Sequence, residues 1–220
     1  MSAARFAPEA VLFDLDGTLL DTIADLADAA NLMLAELGRP PRTQAEIHGF
    51  VGKGIGNLVS RCLSEGGPRA PEKESAAALD VFRRHYARVN GRRARPYPGV
   101  TELLDKLAAR GLKMALITNK ATAFTLPLLA QFGMARHFGA VVCGDTLPVR
   151  KPDPAPIARA CALLDVAPAQ ALMVGDSAND ALAARAAGMP VLLVTYGYSE
   201  GMPVTDIECD GLLGEVGEVL

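Results

Sequence analysis

Residues 10–18 read AVLFDLDGT, an apolar run that ends in two acidic residues and a glycine turn. A short, continuous apolar run bounded by a turn signal is typical of a buried strand, which we predict from Ala10 to Phe13. Asp14 and Asp16 follow this strand directly. Because ligands bind beyond the carboxyl ends of the strands in open α/β sheets, both acids are candidate site residues.

The chain after residue 100 alternates between helical and strand patterns. Helices are predicted at Val100–Ala109, Ala121–Phe132, Ala155–Leu164 and Asn179–Ala187, and strands at Lys113–Thr118, Ala140–Cys143, Ala171–Val174 and Val191–Thr195. The strands are almost continuously apolar, as expected when helices cover both faces of a sheet. Strict alternation predicts an α/β fold with a doubly wound, Rossmann-like parallel sheet.

Residues 21–93 carry helical patterns only, and they follow the first strand. One helix is predicted from Asp21 or Thr22 to Leu37, a second from about Ile55 to Ser64, and a third from about Pro71 to Gly91. We therefore predict two domains. Residues 1–20 and 94–220 would form the sheet domain, and residues 21–93 a small all-helical domain inserted after the first strand.

The predicted strand ends bring several chemically active side chains to one edge of the sheet. The residues that follow the later strands include Thr118, Asn119, Asp176 and Asp180, and Lys151 precedes a helix. Carboxylates gathered in one place repel one another, so a cation has to be near them, and all-oxygen ligands suit Mg²⁺. Lys151 could bind a phosphate oxygen, and Thr118 and Asn119 could donate hydrogen bonds to phosphate.

Four segments, DLDGTLLDT, LITNK, RKPDPAP and GDSAND, occur in this order along the whole chain. Together they resemble the motifs of the haloacid-dehalogenase superfamily of phosphohydrolases. The resemblance implies that Asp14 is the nucleophile, that Asp16 is the general acid and base, and that residues 21–93 form a mobile cap. It also implies phosphate binding by Thr118 and Lys151, and Mg²⁺ binding by the carboxylates of Asp14 and Asp176 and the backbone carbonyl of Asp16. Asp180 would support the metal site, or it would simply be an acid in the first turn of a helix.

The nature of Asp16 and of the cap loop suggests a substrate. An alkoxide leaving group needs a proton, which a carboxylic acid at residue 16 can supply, so ester hydrolysis is favoured over cleavage of C–Cl or P–C bonds. The segment 49–58, GFVGKGIGNL, resembles the cap loop of phosphoglycolate phosphatases. Lys53 within it could pair with a substrate carboxylate, or it could be an ordinary exposed lysine.

The expected function is Mg²⁺-dependent hydrolysis of a small phosphorylated metabolite, with 2-phosphoglycolate as the leading candidate substrate. The alternatives are a phosphatase or mutase for a sugar phosphate, a nucleotide or pyrophosphate, and a catalytically silent binding module. The formal net charge of −3 does not suggest a nucleic-acid partner. The absence of a long apolar run or an apolar leader predicts a cytoplasmic protein without a membrane partner. A monomer or a homodimer is expected.

Overall fold

The computed structural model describes residues 7–64 and 70–219 of the chain. Its strands and helices, in chain order, are β1 (Ala10–Phe13), β2 (Leu20–Asp21), α1 (Ile23–Glu36), α2 (Gln44–His48), α3 (Ile55–Leu63), α4 (Glu72–Val89), β3 (Arg95–Pro96), α5 (Val100–Ala109), β4 (Lys113–Ile117), α6 (Thr122–Gln131), β5 (Ala140–Val142), α7 (Ala155–Leu164), β6 (Ala171–Gly175), α8 (Ala178–Ala186), β7 (Val191–Val194) and β8 (Gly211–Leu213).

The main sheet has six strands in the order β5-β4-β1-β6-β7-β8, and every neighbouring pair is parallel. Strand β1 lies at the point where the strand order reverses, with Phe13 in register with Leu116 of β4 and Val174 of β6. The predicted doubly wound parallel sheet is therefore confirmed. A crevice forms at such a reversal point, beyond the carboxyl ends of the strands.

Alternate residues of β1 pack into two separate cores. Val11 and Phe13 pack on one face with leucines of α5 and α6, and Ala10 and Leu12 pack on the other face with residues of α7 and α8. Side chains on both faces are thus removed from water, which is why the strands read as continuous apolar runs. Burial of each large apolar side chain stabilises the fold by about 1.5–3 kcal/mol.

The segment between β2 and β3, residues 22–94, contains helices α1–α4 and is called here the helical insert. It has a third core of its own, which includes Met33, Ile47, Leu58 and Phe82. The insert leaves and rejoins the sheet part through the antiparallel pair β2–β3. No helix within the described ranges is long and apolar enough to cross a bilayer.

The structure adds elements that the sequence patterns did not predict. These are the sixth strand β8, the two-residue strands β2 and β3, and the five-residue helix α2. All of them are too short for a periodic signal, although Thr43 and Glu46 form a capping box at the start of α2. Most other boundaries agree with the predictions to within two residues, and Thr22 is the residue before α1.

Asp25 in the first turn of α1 joins the insert to its own return segment. Its buried carboxylate accepts hydrogen bonds from the backbone N–H groups of Gly91 at 2.8 Å, Arg93 at 2.8 Å and Ala94 at 3.1 Å. A buried carboxylate is tolerated when several donors satisfy it. These three bonds therefore fix the chain where it leaves α4 and approaches β3.

We expect Asp25→Ala to lower the free energy of unfolding by about 2–5 kcal/mol, because it leaves three backbone donors without their acceptor. Urea denaturation measures the change. Asp28→Ala on the same helix is the matched control. Asp28 pairs with Arg93 at the surface, and its loss should cost less than about 1 kcal/mol. Equal losses in the two variants would contradict the anchoring role of Asp25.

Candidate active site

Three adjacent strands present the central residues of the site. Asp14 follows β1, Thr118 follows β4 and Asp176 follows β6, and these three strands are neighbours in the sheet. The backbone N–H of Asp14 still donates to the carbonyl of Val174 at 3.0 Å, so the chain leaves the sheet only after residue 14. Asp14, Thr118 and Asp176 thus lie together at the carboxyl edge of the sheet.

The turn after Asp14 depends on Gly17. This residue has a φ of 88°, in the left-handed region that favours glycine. A Cβ atom at residue 17 would collide with Oδ2 of Asp176. Glycine therefore allows both the turn and the close approach of the Asp176 carboxylate.

Three carboxylates converge behind this turn. Oxygen atoms of Asp14, Asp176 and Asp180 lie within 4.8 Å of one another. Asp176 accepts hydrogen bonds from the backbone N–H of Tyr198 at 2.6 Å and from the hydroxyl of Thr18 at 3.1 Å. Asp176 and Asp180 are buried. The contacts hold the acids in place although their charges repel one another.

Asp180 lies at the start of α8 and contacts Lys151 as well, while its metal-site role stays a prediction. Its Oδ2 accepts hydrogen bonds from the N–H groups of Asp176 and Ser177 and from the Ser177 hydroxyl, which caps the start of α8. Its Oδ1 lies 2.6 Å from Nζ of Lys151. Asp180 is thus both a helix-capping acid and a member of the acidic cluster.

Lys151 is the cation of this cluster. Its ammonium lies 2.9 Å from Asp14 Oδ1 and donates to Asp180 and, at 2.7 Å, to the carbonyl of Ile117. The residue is 3% exposed, so it is not a solvated loop lysine. Burial disfavours the charged ammonium, but Asp14 and Asp180 outweigh this effect and raise the pKa of Lys151.

The surroundings of the cluster disfavour the ionised form of its carboxylates. Burial raises the pKa of Asp14 to about 7, with Lys151 opposing the shift and Asp180 adding to it. Burial, and then the charges of Asp180 and Asp14, raise the pKa of Asp176 well above its ordinary value. If all three carboxylates were ionised, their negative charge would exceed what Lys151 alone offsets.

The residues of the cluster fit a divalent metal ion. Asp14 Oδ1 is buried, and within the described ranges its contact is the ion pair with Lys151, without a hydrogen bond of normal geometry. Three carboxylates offer hard oxygen donors around one point, and such donors suit Mg²⁺. A bound cation would also remove the repulsion that raises the pKa values of Asp14 and Asp176.

Asp16 does not join this cluster but points to a second lysine. Its carboxylate lies 2.9 and 3.1 Å from Nζ of Lys120 and accepts a 2.6 Å hydrogen bond from the Thr22 hydroxyl. Asp14 and Asp16 both line the cleft, each with its own lysine. The carboxylates of Asp14 and Asp16 therefore face different cations.

Thr118 and Asn119 have different surroundings. Thr118 is buried and lines the cleft. The side-chain amide of Asn119 donates to the carbonyls of Gly52 at 3.0 Å and Lys151 at 2.9 Å. Asn119 thus ties the loop before α3 to the Lys151 segment, and its phosphate-binding role stays a prediction.

Lys53 lies in the loop between α2 and α3 and is exposed. The neighbouring Gly52 and Gly54 line the cleft. The proposed contact of Lys53 with a substrate carboxylate stays a prediction.

Lys120 and Tyr198 line the cleft but are not among the candidate residues predicted from the sequence. Lys120 belongs to the segment after β4, and Tyr198 lies four residues beyond the end of β7. The hydroxyl of Tyr198 accepts hydrogen bonds from the N–H groups of Thr22 and Ile23, so it joins the sheet part to the start of α1. The position of Lys120 after a strand was a usable signal, whereas Tyr198 carried none.

The cleft lies between the sheet edge and the helical insert. Its apolar wall comes from Leu26, Val51, Ile55 and Leu58 of the insert. Its polar floor contains Asp14, Asp16, Asp176 and Lys120. One end of a small ligand would meet the strand ends, while its other end would face the insert.

Comparisons with known proteins agree with this geometry. The sequence profile of the haloacid dehalogenase-like hydrolases matches residues 11–194. The chain is 47% identical over 211 residues to a phosphoglycolate phosphatase of Thiobacillus denitrificans, covering 96% of this chain and 93% of the relative. It is 46% identical over 211 residues to a phosphoglycolate phosphatase of Nitrosospira multiformis, with the same coverage. The crystal structure of a predicted phosphoglycolate phosphatase from Haemophilus somnus superimposes with a TM-score of 0.90 at 32% identity, covering 96% of each chain.

Proposed function

Because the chain belongs to the haloacid dehalogenase-like hydrolase family, we propose that it hydrolyses 2-phosphoglycolate to glycolate and inorganic phosphate. It is a phosphoric monoester hydrolase, as its relatives of nearly half-identical sequence indicate. The observation that carries the proposal is the pair of acids in one cleft, with Asp14 beside Lys151 and Asp16 beside Lys120.

The geometry supports a two-step mechanism. An oxygen of Asp14 attacks phosphorus, the bond from phosphorus to the glycolate oxygen breaks, and Asp16 gives its proton to that oxygen. Asp16 then takes a proton from water, whose oxygen attacks the phospho-aspartate and releases phosphate and free Asp14. Lys151 and Thr118 bind the phosphoryl oxygens, and Lys151 stabilises the charge that develops on them.

We propose that Mg²⁺ is held by the carboxylates of Asp14 and Asp176 and the backbone carbonyl of Asp16, with Asp180 beside them. The ion would supply positive charge to the phosphoryl oxygens. Asp180 accepts three hydrogen bonds on one oxygen and pairs with Lys151 through the other. It therefore acts by orienting Lys151 and the loop of Asp176.

The Mg²⁺ proposal predicts a pH-dependent stabilisation. The pKa of Asp14 is about 7 in the folded ion-free protein, against about 3.9 in an unfolded chain. The folded state therefore binds more protons, and ion-free stability falls as the pH rises from about 4 to about 7. We expect saturating MgCl₂ to raise Tm by about 5 °C at about pH 8 and by less than about 2 °C at about pH 5.

Thermal scans with and without MgCl₂, at matched ionic strength, measure this shift. Asp176→Asn should lose the rise of Tm that MgCl₂ causes. Asp145→Asn should keep this rise, since Asp145 lies after β5 and binds the start of α6. A shift of the same size at both pH values would contradict the proposed ligands.

The insert supports a small carboxylated substrate. Gly52 and Gly54 bring the loop before α3 to the cleft, and the N-terminal end of α3 carries a partial positive charge. We propose that this loop, with Lys53, receives the carboxylate of 2-phosphoglycolate.

A phosphate-release screen tests the substrate. It compares 2-phosphoglycolate with sugar phosphates, nucleotides and pyrophosphate, each with and without MgCl₂, and includes product analysis for an isomerised sugar phosphate. We expect kcat/KM for 2-phosphoglycolate to exceed the others by about tenfold or more. Preference for another ester would reject this substrate, and no Mg²⁺-dependent release from any of them would reject the phosphatase.

Three further proposals concern organisation. We propose that residues 21–93 act as a separate cap domain over a sheet domain of residues 1–20 and 94–220, which the separate core of the insert supports. Residues 1–6, 65–69 and 220 lie outside the described ranges. We also propose a cytoplasmic location and a monomeric or homodimeric state, which the sequence suggested.

A further inference from the structure

Lys120 is a buried lysine that contacts the helical insert and the candidate acid at the same time. Its ammonium lies 2.9 and 3.1 Å from the two oxygens of Asp16 and 2.6 Å from the hydroxyl of Tyr86. Lys120 follows β4 in the sheet part, whereas Tyr86 belongs to α4 of the insert. The side chain of Lys120 is 2% exposed.

Packing fixes the position of the Tyr86 hydroxyl. The ring of Tyr86 is fully buried, with its centroid 5.4 Å from that of Phe82 and 4.8 Å from that of Phe124. Close-packed aromatic side chains have little rotational freedom. The hydroxyl is therefore a rigid partner that holds the flexible Lys120 side chain at one end.

Asp16 depends on this arrangement for its direction. Lys120 contacts both of its oxygens, and the Thr22 hydroxyl contacts only Oδ1. A carboxylate whose two oxygens are both held is restricted in rotation, whereas one donor on a single oxygen leaves the side chain free to turn about that bond. Lys151 cannot replace Lys120, because it is engaged by Asp14, Asp180 and the carbonyl of Ile117.

We propose that Lys120 is a positioning residue that directs the Asp16 carboxyl group toward the leaving-group oxygen, and that Tyr86 of the helical insert holds Lys120 in place. This inference rests on the proposed phosphatase function. It gives the insert a part in proton transfer through a buried chain of contacts, in addition to any contact with substrate.

The dependence on the leaving group separates positioning of Asp16 from a structural role. Glycolate leaves 2-phosphoglycolate as an alkoxide and needs a proton, whereas the leaving group of p-nitrophenyl phosphate departs as a stable phenolate. The value of kcat/KM covers the steps up to departure of the leaving group. A misplaced Asp16 therefore lowers kcat/KM for the alkyl ester much more than for the aryl ester.

The experiment measures kcat/KM for both esters with MgCl₂ in four proteins: wild type, Lys120→Met, Tyr86→Phe and Lys113→Met. We expect Lys120→Met to lower kcat/KM for 2-phosphoglycolate by about 100-fold and kcat/KM for p-nitrophenyl phosphate by less than about threefold. Tyr86→Phe keeps the ring packing and removes only the hydroxyl. We expect it to lower kcat/KM for the alkyl ester by about tenfold, and again to affect the alkyl ester more than the aryl ester. Lys113→Met, at the opposite end of β4, should leave both values unchanged.

A fall by the same factor for the two esters, in either Lys120→Met or Tyr86→Phe, would overturn the positioning role, as would unchanged kinetics in both variants. If Lys120→Met does not fold, the ratio measured for Tyr86→Phe decides. Absence of Mg²⁺-dependent hydrolysis of either ester by the wild type would instead reject the proposed function, and this inference with it.

Discussion

Asp14→Asn is expected to lower kcat on the preferred ester by about 10⁴-fold or more, because an amide cannot form the phospho-aspartate. The variant should fold as well as the wild type. Asp14 is a buried carboxylate whose ionised form is disfavoured by burial and by Asp180, and a neutral amide of the same shape removes that repulsion. The loss would then report on chemistry and not on stability.

Steady-state phosphate release and a thermal scan measure the two quantities. Asp145→Asn is the matched control, since Asp145 also follows a strand of the sheet but contacts Thr122 at the surface. Its kcat should stay within about twofold of wild type. Rapid quenching should trap a phosphorylated wild-type enzyme and none in Asp14→Asn. If Asp14→Asn retained activity, Asp14 could not be the nucleophile.

Lys151→Met is expected to lower kcat by about 10³-fold and the free energy of unfolding by about 3–5 kcal/mol. Without its ammonium, Asp14 and Asp180 lose their shared cation, and the carbonyl of Ile117 loses a donor. The loss of stability should be largest at high pH without MgCl₂, where the carboxylates are ionised. A lower pH, at which the acids take up protons, should reduce it.

Urea denaturation at two pH values, in the presence of a chelator, measures this effect. Lys106→Met on α5 is the control, because Lys106 is exposed and its replacement should change the stability by less than about 0.5 kcal/mol. A pH-independent loss in Lys151→Met would mean that the lysine acts through packing and not through the carboxylates.

The sheet and the positions of its acids could be predicted because both depend on local patterns. Each strand is a short apolar run. The residue that follows a parallel strand lies at the carboxyl edge of the sheet, whichever strands are its neighbours. Asp14, Asp176 and Thr118 therefore come together once the parallel order is assumed. The burial of Lys151 follows less directly, since a lysine before a turn could equally have been solvated.

The contacts of Lys120 and Asn119 could not be predicted in this way. Lys120 meets Tyr86, and Asn119 meets Gly52, across the boundary between the sheet part and the insert. Such contacts depend on how the sheet part and the helical insert, each with its own hydrophobic core, pack against each other. Neither the hydrophobic periodicity nor the spacing of motifs predicts that packing. The role of Asp25 was hidden for a similar reason, because its donors lie 66–69 residues away along the chain.

The antiparallel pair β2–β3 makes the insert exchangeable. Leu20 lies opposite Pro96 and Asp21 opposite Arg95, and facing Cα atoms in such a ladder are only about 5 Å apart. A foreign helical segment grafted between residues 21 and 95 would therefore start and finish at adjacent points without reshaping the sheet. Residues 22–94 would have to be transplanted as one block, since Asp25 at one end binds the backbone at the other. A chimaera built at these junctions would keep the sheet and its acids, but the new segment would have to supply a hydroxyl for Lys120 in place of that of Tyr86.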